Sequence, residues 1–250
     1  MSILAHTQPR RASEIIDSSF RLYRAHLGDL IVISALLLVP PALIAAITPS
    51  PFKMAIQLGG HLTFLVAQGA IAVLVAAALQ EDRAMTAGEV FRELGARASN
   101  VISVSIMAGV LTVLGFILLV IPGIIVAVWT CVSTPVAAIE GLSNSAALGR
   151  SRDLVRGQFW HALGTIVLAW CIVMALVIGF SIVLGLLFGM MHVPARVISL
   201  VGGLVMVPLF PLIGVTTSLL YFDLRVRNEG ADVEALAQML PPVPASPIAP

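Results

Sequence analysis

Ser143 to Trp160 reads S-N-S-A-A-L-G-R-S-R-D-L-V-R-G-Q-F-W, and its position decides the fold. Arg150, Arg152 and Arg156 sit in a short amphipathic stretch between two long uncharged runs. Before it, residues 100–139 contain no Asp, Glu, Lys or Arg. After it, residues 157–195 carry no charge apart from His161 and His192. A basic segment bracketed in this way predicts an elbow lying on a membrane surface and feeding a helix into the bilayer.

Composition agrees. Hydrophobic residues make up 59% of the 250 and charged residues only 11%, and the mean hydropathy is +1.03. Soluble domains carry about 25% charged residues, so the chain falls in the membrane class. Cys131 and Cys171 both lie inside apolar runs, which reads as two small buried hydrophobes rather than a disulfide framework. Six charged residues, among them Arg10, Glu14 and Asp17, stand in the first 26 with no apolar stretch among them, unlike a cleavable signal peptide.

Outward from the elbow, the chain divides into helices. A helix rises about 1.5 Å per residue, so about 20 residues cross a hydrocarbon core of about 30 Å. Residues 100–139 are twice that length and must fold back, with Ile121-Pro122-Gly123 as the turn. Residues 157–195 lack such a turn before Pro194 and predict one long tilted helix, in which Ser181, Gly185 and Gly189 form a small-residue face suited to close packing. The spans are predicted at about 28–48, 57–80, 99–120, 123–140, 159–188 and 197–222, with Pro40-Pro41 kinking the first and Pro208 and Pro211 interrupting the last. Elbows are predicted at about 10–26, 86–98 and 143–157. The first carries a stripe of Ile16, Phe20, Tyr23 and Leu27, and the second a Thr86–Glu89 capping box followed by Val90, Phe91, Leu94 and Ala98. Residues 1–9 are expected to be flexible, 10–235 to form the membrane domain, and 236–250 to be a Pro-rich disordered tail. The fold class is all-α: a polytopic transmembrane helical bundle of six spans with three amphipathic interfacial elbow helices.

With six spans, twelve of the fourteen Lys and Arg fall on one side, leaving only Lys53 and Arg196 opposite. By the positive-inside rule both termini are expected in the cytoplasm of a bacterial inner membrane. A faint internal likeness aligns Ser19, Leu22 and Arg24 with Ser151, Leu154 and Arg156.

Two polar groupings stand out. Glu140, at the end of the fourth span, needs a partner near the hydrocarbon edge. Arg150, Asp223 and Arg225 are expected to supply a polar cluster with it that locks the elbow to the last helix. Arg150, Arg152 and Arg156 are candidate contacts for anionic lipid, each contributing about 1 kcal/mol near an anionic surface. Within the membrane, His61 and Gln68 share a face of the second span and either hydrogen-bond across a helix interface or line a polar path. Asp29 reads as a helix N-terminal acid.

P-G-I-I-V-A-V-W from Pro122, P-V-A-A-I-E-G-L-S from Pro135, A-L-G-R-S-R-D-L-V-R-G-Q-F-W from Ala147 and L-L-Y-F-D-L-R-V-R-N-E-G from Leu219 resemble the prokaryotic "glycerophosphoryl diester phosphodiesterase membrane domain" family. The resemblance covers most of residues 13–235 and implies a six-span helical fold. Members that give the family its name fuse this region to a catalytic domain for which this chain has no room.

No zinc-protease, Cys-x-x-Cys, P-loop or nucleophile-elbow motif is present, and no cofactor or metal is expected. The first functional expectation is a non-enzymatic membrane module, structural or regulatory, with the lipid bilayer, anionic lipids, a membrane-protein partner or a second copy as its contacts. A small-molecule or lipid transporter is the alternative, and the membrane subunit of a separate phosphodiesterase-type enzyme a further one. No nucleic-acid partner is expected.

Overall fold

The computed structural model describes residues 10–48, 52–81, 85–191 and 193–239. Among them the structure is all-α, with six helical stretches long and apolar enough to cross a membrane. The protein is a multi-pass integral membrane protein. Residues 1–9 and 240–250 lie outside the described residues.

Helix α1 (Ala12–Ala25) is followed after one residue by α2 (Leu27–Ile47), which carries Asp29 in its first turn and continues past Pro40 and Pro41. Helix α3 (Lys53–Ala76) ends in a π-helical turn, Ala77–Glu81. Helix α4 (Ala87–Gly95) opens on the expected capping box: the Thr86 amide donates to Glu89 Oε2 at 3.0 Å, and the Glu89 amide donates to Thr86 Oγ1 at 3.4 Å. These bonds satisfy donors that a helix start leaves without partners.

Helix α5 (Ala98–Leu118) and helix α6 (Val120–Thr130) form the hairpin. The turn sits two residues earlier than predicted, at Leu119, whose backbone is extended. Pro122 instead lies in the first turn of α6, where a missing N–H costs nothing. The glycines make the turn close: a Cβ at Gly123 would meet the Phe116 ring at 2.5 Å, and one at Gly115 would meet Gly123 Cα at 3.0 Å. The predicted fourth span is also not one helix. It breaks at Cys131–Val132, and α7 (Ser133–Glu140) then runs inward with Ser133, Val136, Ala137 and Ala138 buried.

Helix α8 (Asn144–Val155) is the opening stretch, and α9 (Phe159–Met190) is the single long helix expected after it. The Ser181 and Gly185 face of α9 does not pack against the bundle: Ser181 is exposed, and a Cβ at Gly185 would meet nothing within 4 Å. Helix α10 (Ala195–Met239) runs unbroken through Pro208, Pro211 and the charged exit, well past the predicted end at 222 and into the stretch read as tail.

The three predicted elbows exist as helices, each docked on the bundle. Helix α4 buries Val90 and Leu94, and α8 buries Ala147, Ser151, Leu154 and Val155. On α1 the most buried residues are Ile15, Ile16 and Ser19, and Phe20 and Tyr23 of the predicted stripe also pack on the core, while Leu27 falls in α2 and is exposed, so the buried face is broader than the stripe. The cause is visible in its partners. The Arg10 amide donates to Asp223 at 2.7 Å, Thr216 Oγ1 donates to Ser19 Oγ at 3.1 Å, and the Tyr23 hydroxyl donates to the Pro208 carbonyl at 2.7 Å. As numbers rise along α1 they fall along α10, so α1 lies antiparallel against α10.

Most of the core gathers at the end where α1, α4, α8 and the exit of α10 meet. Ile15, Leu30, Ile71, Leu94, Val101, Val136, Leu154 and Leu220 all belong to one buried cluster. We call this the basic end. Ser19 and Ser151, matched by the faint internal likeness, are both fully buried, on α1 and α8.

Candidate functional site

The exit of α10 organises the basic end. Residues two apart on a helix point about 200° from each other, and residues four apart share a face. Tyr221, Arg225 and Glu229 therefore lie on one side of α10, and Asp223 and Arg227 on the other. The expected cluster of Glu140, Arg150, Asp223 and Arg225 accordingly divides into two networks.

The first network joins α7, α8 and α10. The Tyr221 hydroxyl donates to Glu140 Oε1 at 2.7 Å, and Arg150 Nε donates to both Glu140 oxygens at 3.3 Å. Arg150 Nη2 also pairs with Glu229, and Arg225 Nε closes the chain on Glu229 at 2.7 Å. Two carboxylates and two guanidiniums balance. Partial burial pulls the Arg150 pKa down, but its hydrogen bonds to Glu229 and Glu140 outweigh this and hold it above its ordinary value. Asn228 Nδ2 adds a further tie, donating to the Leu154 carbonyl at 2.6 Å.

The second network joins α1, α9 and α10. Asp223, with its side chain only 2% exposed, accepts from Arg227 Nε at 2.7 Å, lies 2.9 Å from His161 Nε2, and receives the Arg10 amide. Arg227 Nη2 reaches back to the Arg10 carbonyl. A carboxylate so buried is tolerated because every close neighbour is a donor. Asp223 thus pins the start of α1 to α9 and α10 and does not touch Glu140.

A third clamp holds the end of α7. Arg97 Nη1 donates to the Ala138 and Ile139 carbonyls at 2.9 and 3.2 Å, and Asn100 Nδ2 donates to the Gly141 carbonyl at 2.9 Å. Gly141, at φ 70°, is the left-handed residue that ends the helix. A cation over those carbonyls also complements the negative end of the helix dipole.

Beside these contacts the π-helical turn borders two cavities. One, of about 210 Å³, is lined by Gln80, Glu93, Arg97 and Ala138 among others. The other, of about 130 Å³, is lined by Arg10, Gln80, Phe222 and Asp223 among others.

The remaining candidates separate. Arg152 is exposed and stacks over the Trp129 ring with its guanidinium carbon 4.6 Å from the centroid, and Arg156 is exposed. Arg150 is committed to its two ion pairs. Gln68 faces α10, where a Cβ on Gly214 would come within 2.7 Å of its side-chain oxygen. The His61 side chain lies outside the described residues. Thr130 and Ser133 donate to helix carbonyls, and Thr134 pairs with Ser105 at 3.1 Å. Ser34 is buried without a hydrogen-bond partner among the described residues, and nothing in the structure explains it. Also among the described residues, no group of three His, Cys, Asp or Glu is placed to hold a metal ion.

Sequence reasoning missed Tyr221, Arg227, Glu229, His161, Arg97 and Asn100. The i,i+4 spacings of Asp223 with Arg227 and of Arg225 with Glu229 were the available signal. They carry meaning only once α10 is known to stay helical past residue 222. No family model matches the chain, and neither a curated protein nor a solved structure matches it.

Proposed function

We propose that this protein is a non-catalytic module of a bacterial cytoplasmic membrane, with both termini on the cytoplasmic side, acting through contact with lipids or a membrane partner. The observation that supports this reading is how its polar groups are used. At the basic end, Arg150 bonds to Glu140 and Glu229 across helices, and Asp223 bonds to His161 of α9 and to the Arg10 amide. Deeper in the spans, the described hydroxyls of Thr130, Thr165 and Thr216 bond to helix carbonyls. Polar groups spent on static ties, between helices at the basic end and within a helix deeper down, suit a scaffold, whereas a transport path needs such groups turned toward a cavity. The resemblance of Pro122 to Phe159 to membrane domains that accompany a phosphodiesterase agrees with a membrane module.

Reconstitution into tight vesicles tests the proposal. Potassium and a small anionic dye should leak no faster than from protein-free vesicles, and glycerophosphodiesters added to purified protein should remain intact. A flux above the lipid baseline that falls with Gln68→Leu would establish the transporter alternative. Release of glycerol phosphate would establish an enzyme.

A further inference from the structure

A lateral groove lies between α6 and α9 at hydrocarbon depth. It encloses about 310 Å³, and its walls include Ile124, Ala127, Cys131, Leu163, Ile166 and Trp170. Trp170 is 44% exposed and Ile124 36%, so the groove opens away from the bundle. All of these residues fall inside candidate spans. The surroundings of the opening are therefore lipid, and an apolar groove there has no use for water.

Depth and charge identify the occupant. Leu163 lies four residues into α9 and Trp170 eleven, so the groove covers depths of about 6 to 16 Å from the start of that helix. One leaflet fills about half of a 30 Å hydrocarbon core, so this is the reach of one acyl chain. Above the groove stand two exposed cations. Arg152 is held on Trp129, next to the groove residue Val128, and Arg156 precedes the start of α9 by three residues. Trp160, 80% exposed, marks the same level as an interfacial aromatic. Helix α8 is fixed there by Ser151 Oγ, which donates to the Trp129 carbonyl at 2.7 Å.

We propose that the groove binds one acyl chain of an anionic phospholipid from the leaflet on the basic side, with Arg152 and Arg156 holding its phosphate. Arg150 takes no part, because Glu140 and Glu229 already occupy it. The site rests on the reading of the protein as a contact module and names the lipid class it contacts.

Native mass spectrometry of delipidated protein, given equal phosphatidylglycerol and phosphatidylcholine in micelles, tests it. Wild type should retain one phosphatidylglycerol, preferred about thirtyfold, the ratio that two basic residues near an anionic headgroup produce. Arg152→Gln with Arg156→Gln should bring the two lipids to near parity, and Arg152→Lys with Arg156→Lys should keep the preference. Ala127→Phe, which fills the groove, should lower retention of both lipids. If it melts below wild type, Ala127→Val provides the milder filling.

Equal retention of both lipids by wild type would overturn the site, as would a preference that survives loss of both arginines or retention indifferent to groove filling. A lipid-free dimer that dissociates on groove filling would also overturn it, placing a second copy in the groove. These outcomes leave the vesicles tight and the module reading intact, whereas solute flux or hydrolysis would sink that broader reading instead.

Discussion

The two ends of the bundle are built on different rules. At the basic end Tyr221, Leu224 and Leu154 are almost wholly buried, and charged side chains tie α1, α7, α8, α9 and α10 together. At the tip of the α5–α6 hairpin, Ile117 is 74% and Ile121 72% exposed, and the outer half of α9 exposes Ile178, Val183 and Leu186. Hydrocarbon is as good a neighbour for Leu as another Leu, so the outer half needs only the right length and an apolar surface. Near water, apolar burial, hydrogen bonds and ion pairs can all specify one arrangement. The difference teaches that the fold is specified at the basic end and merely solvated at the other.

Breaking the basic end should therefore cost most. Asp223→Ala removes the shared acceptor of Arg227, His161 and the Arg10 amide, and it should destabilise the protein by about 3 kcal/mol, the size expected when a buried pair loses one partner. Thermal unfolding in nanodiscs measures this, and a loss below about 1 kcal/mol would mean the network is ornamental. Gly123→Ala is next. Its methyl would press on the Phe116 ring and backbone at the hairpin, for an overpacking cost of about 1 to 3 kcal/mol. Unchanged melting would show that the hairpin has room to open. Glu140→Gln keeps the shape but discards the charge facing Arg150, which is partly exposed, so the expected loss is about 1 to 2 kcal/mol. Ile121→Ala at the lipid-facing tip should change stability by less than about 0.5 kcal/mol in the same assay. A larger loss there would erase the contrast between the two ends.

Most of the apolar architecture was legible in the sequence, because uncharged runs of bilayer length and a charge bias need no tertiary information. The single long α9 followed from the absence of any turn signal. The break at Cys131–Val132 was missed although Pro135 marks it, since a proline there has no N–H for the Cys131 carbonyl and its ring crowds that carbonyl. Arg97 and Asn100, from another part of the chain, clamp the far end of α7 and carry no such local signal. The face of α1 was legible only in part: Ile16, Phe20 and Tyr23 pack on the core as the pattern predicts, but the buried face extends to Ser19. Periodicity reports which side is apolar, but Ser19 is buried through its bond with Thr216, a partner invisible to any pattern within α1.

The candidate site was half legible. Glu140 demanded a cation, and Arg150 supplies it. Placing Asp223 and Arg225 in one cluster overlooked the helical geometry that turns them to opposite faces.

The most direct test of the account is a double-mutant cycle between Tyr221→Phe on α10 and Glu140→Leu on α7, which leaves the Tyr221 hydroxyl no acceptor there, read as unfolding free energy in nanodiscs. If the exit of α10 is locked to α7 through their 2.7 Å hydrogen bond, the two losses should fall short of adding, with a coupling of about 1 kcal/mol. Losses that add within about 0.3 kcal/mol would contradict the lock at the basic end.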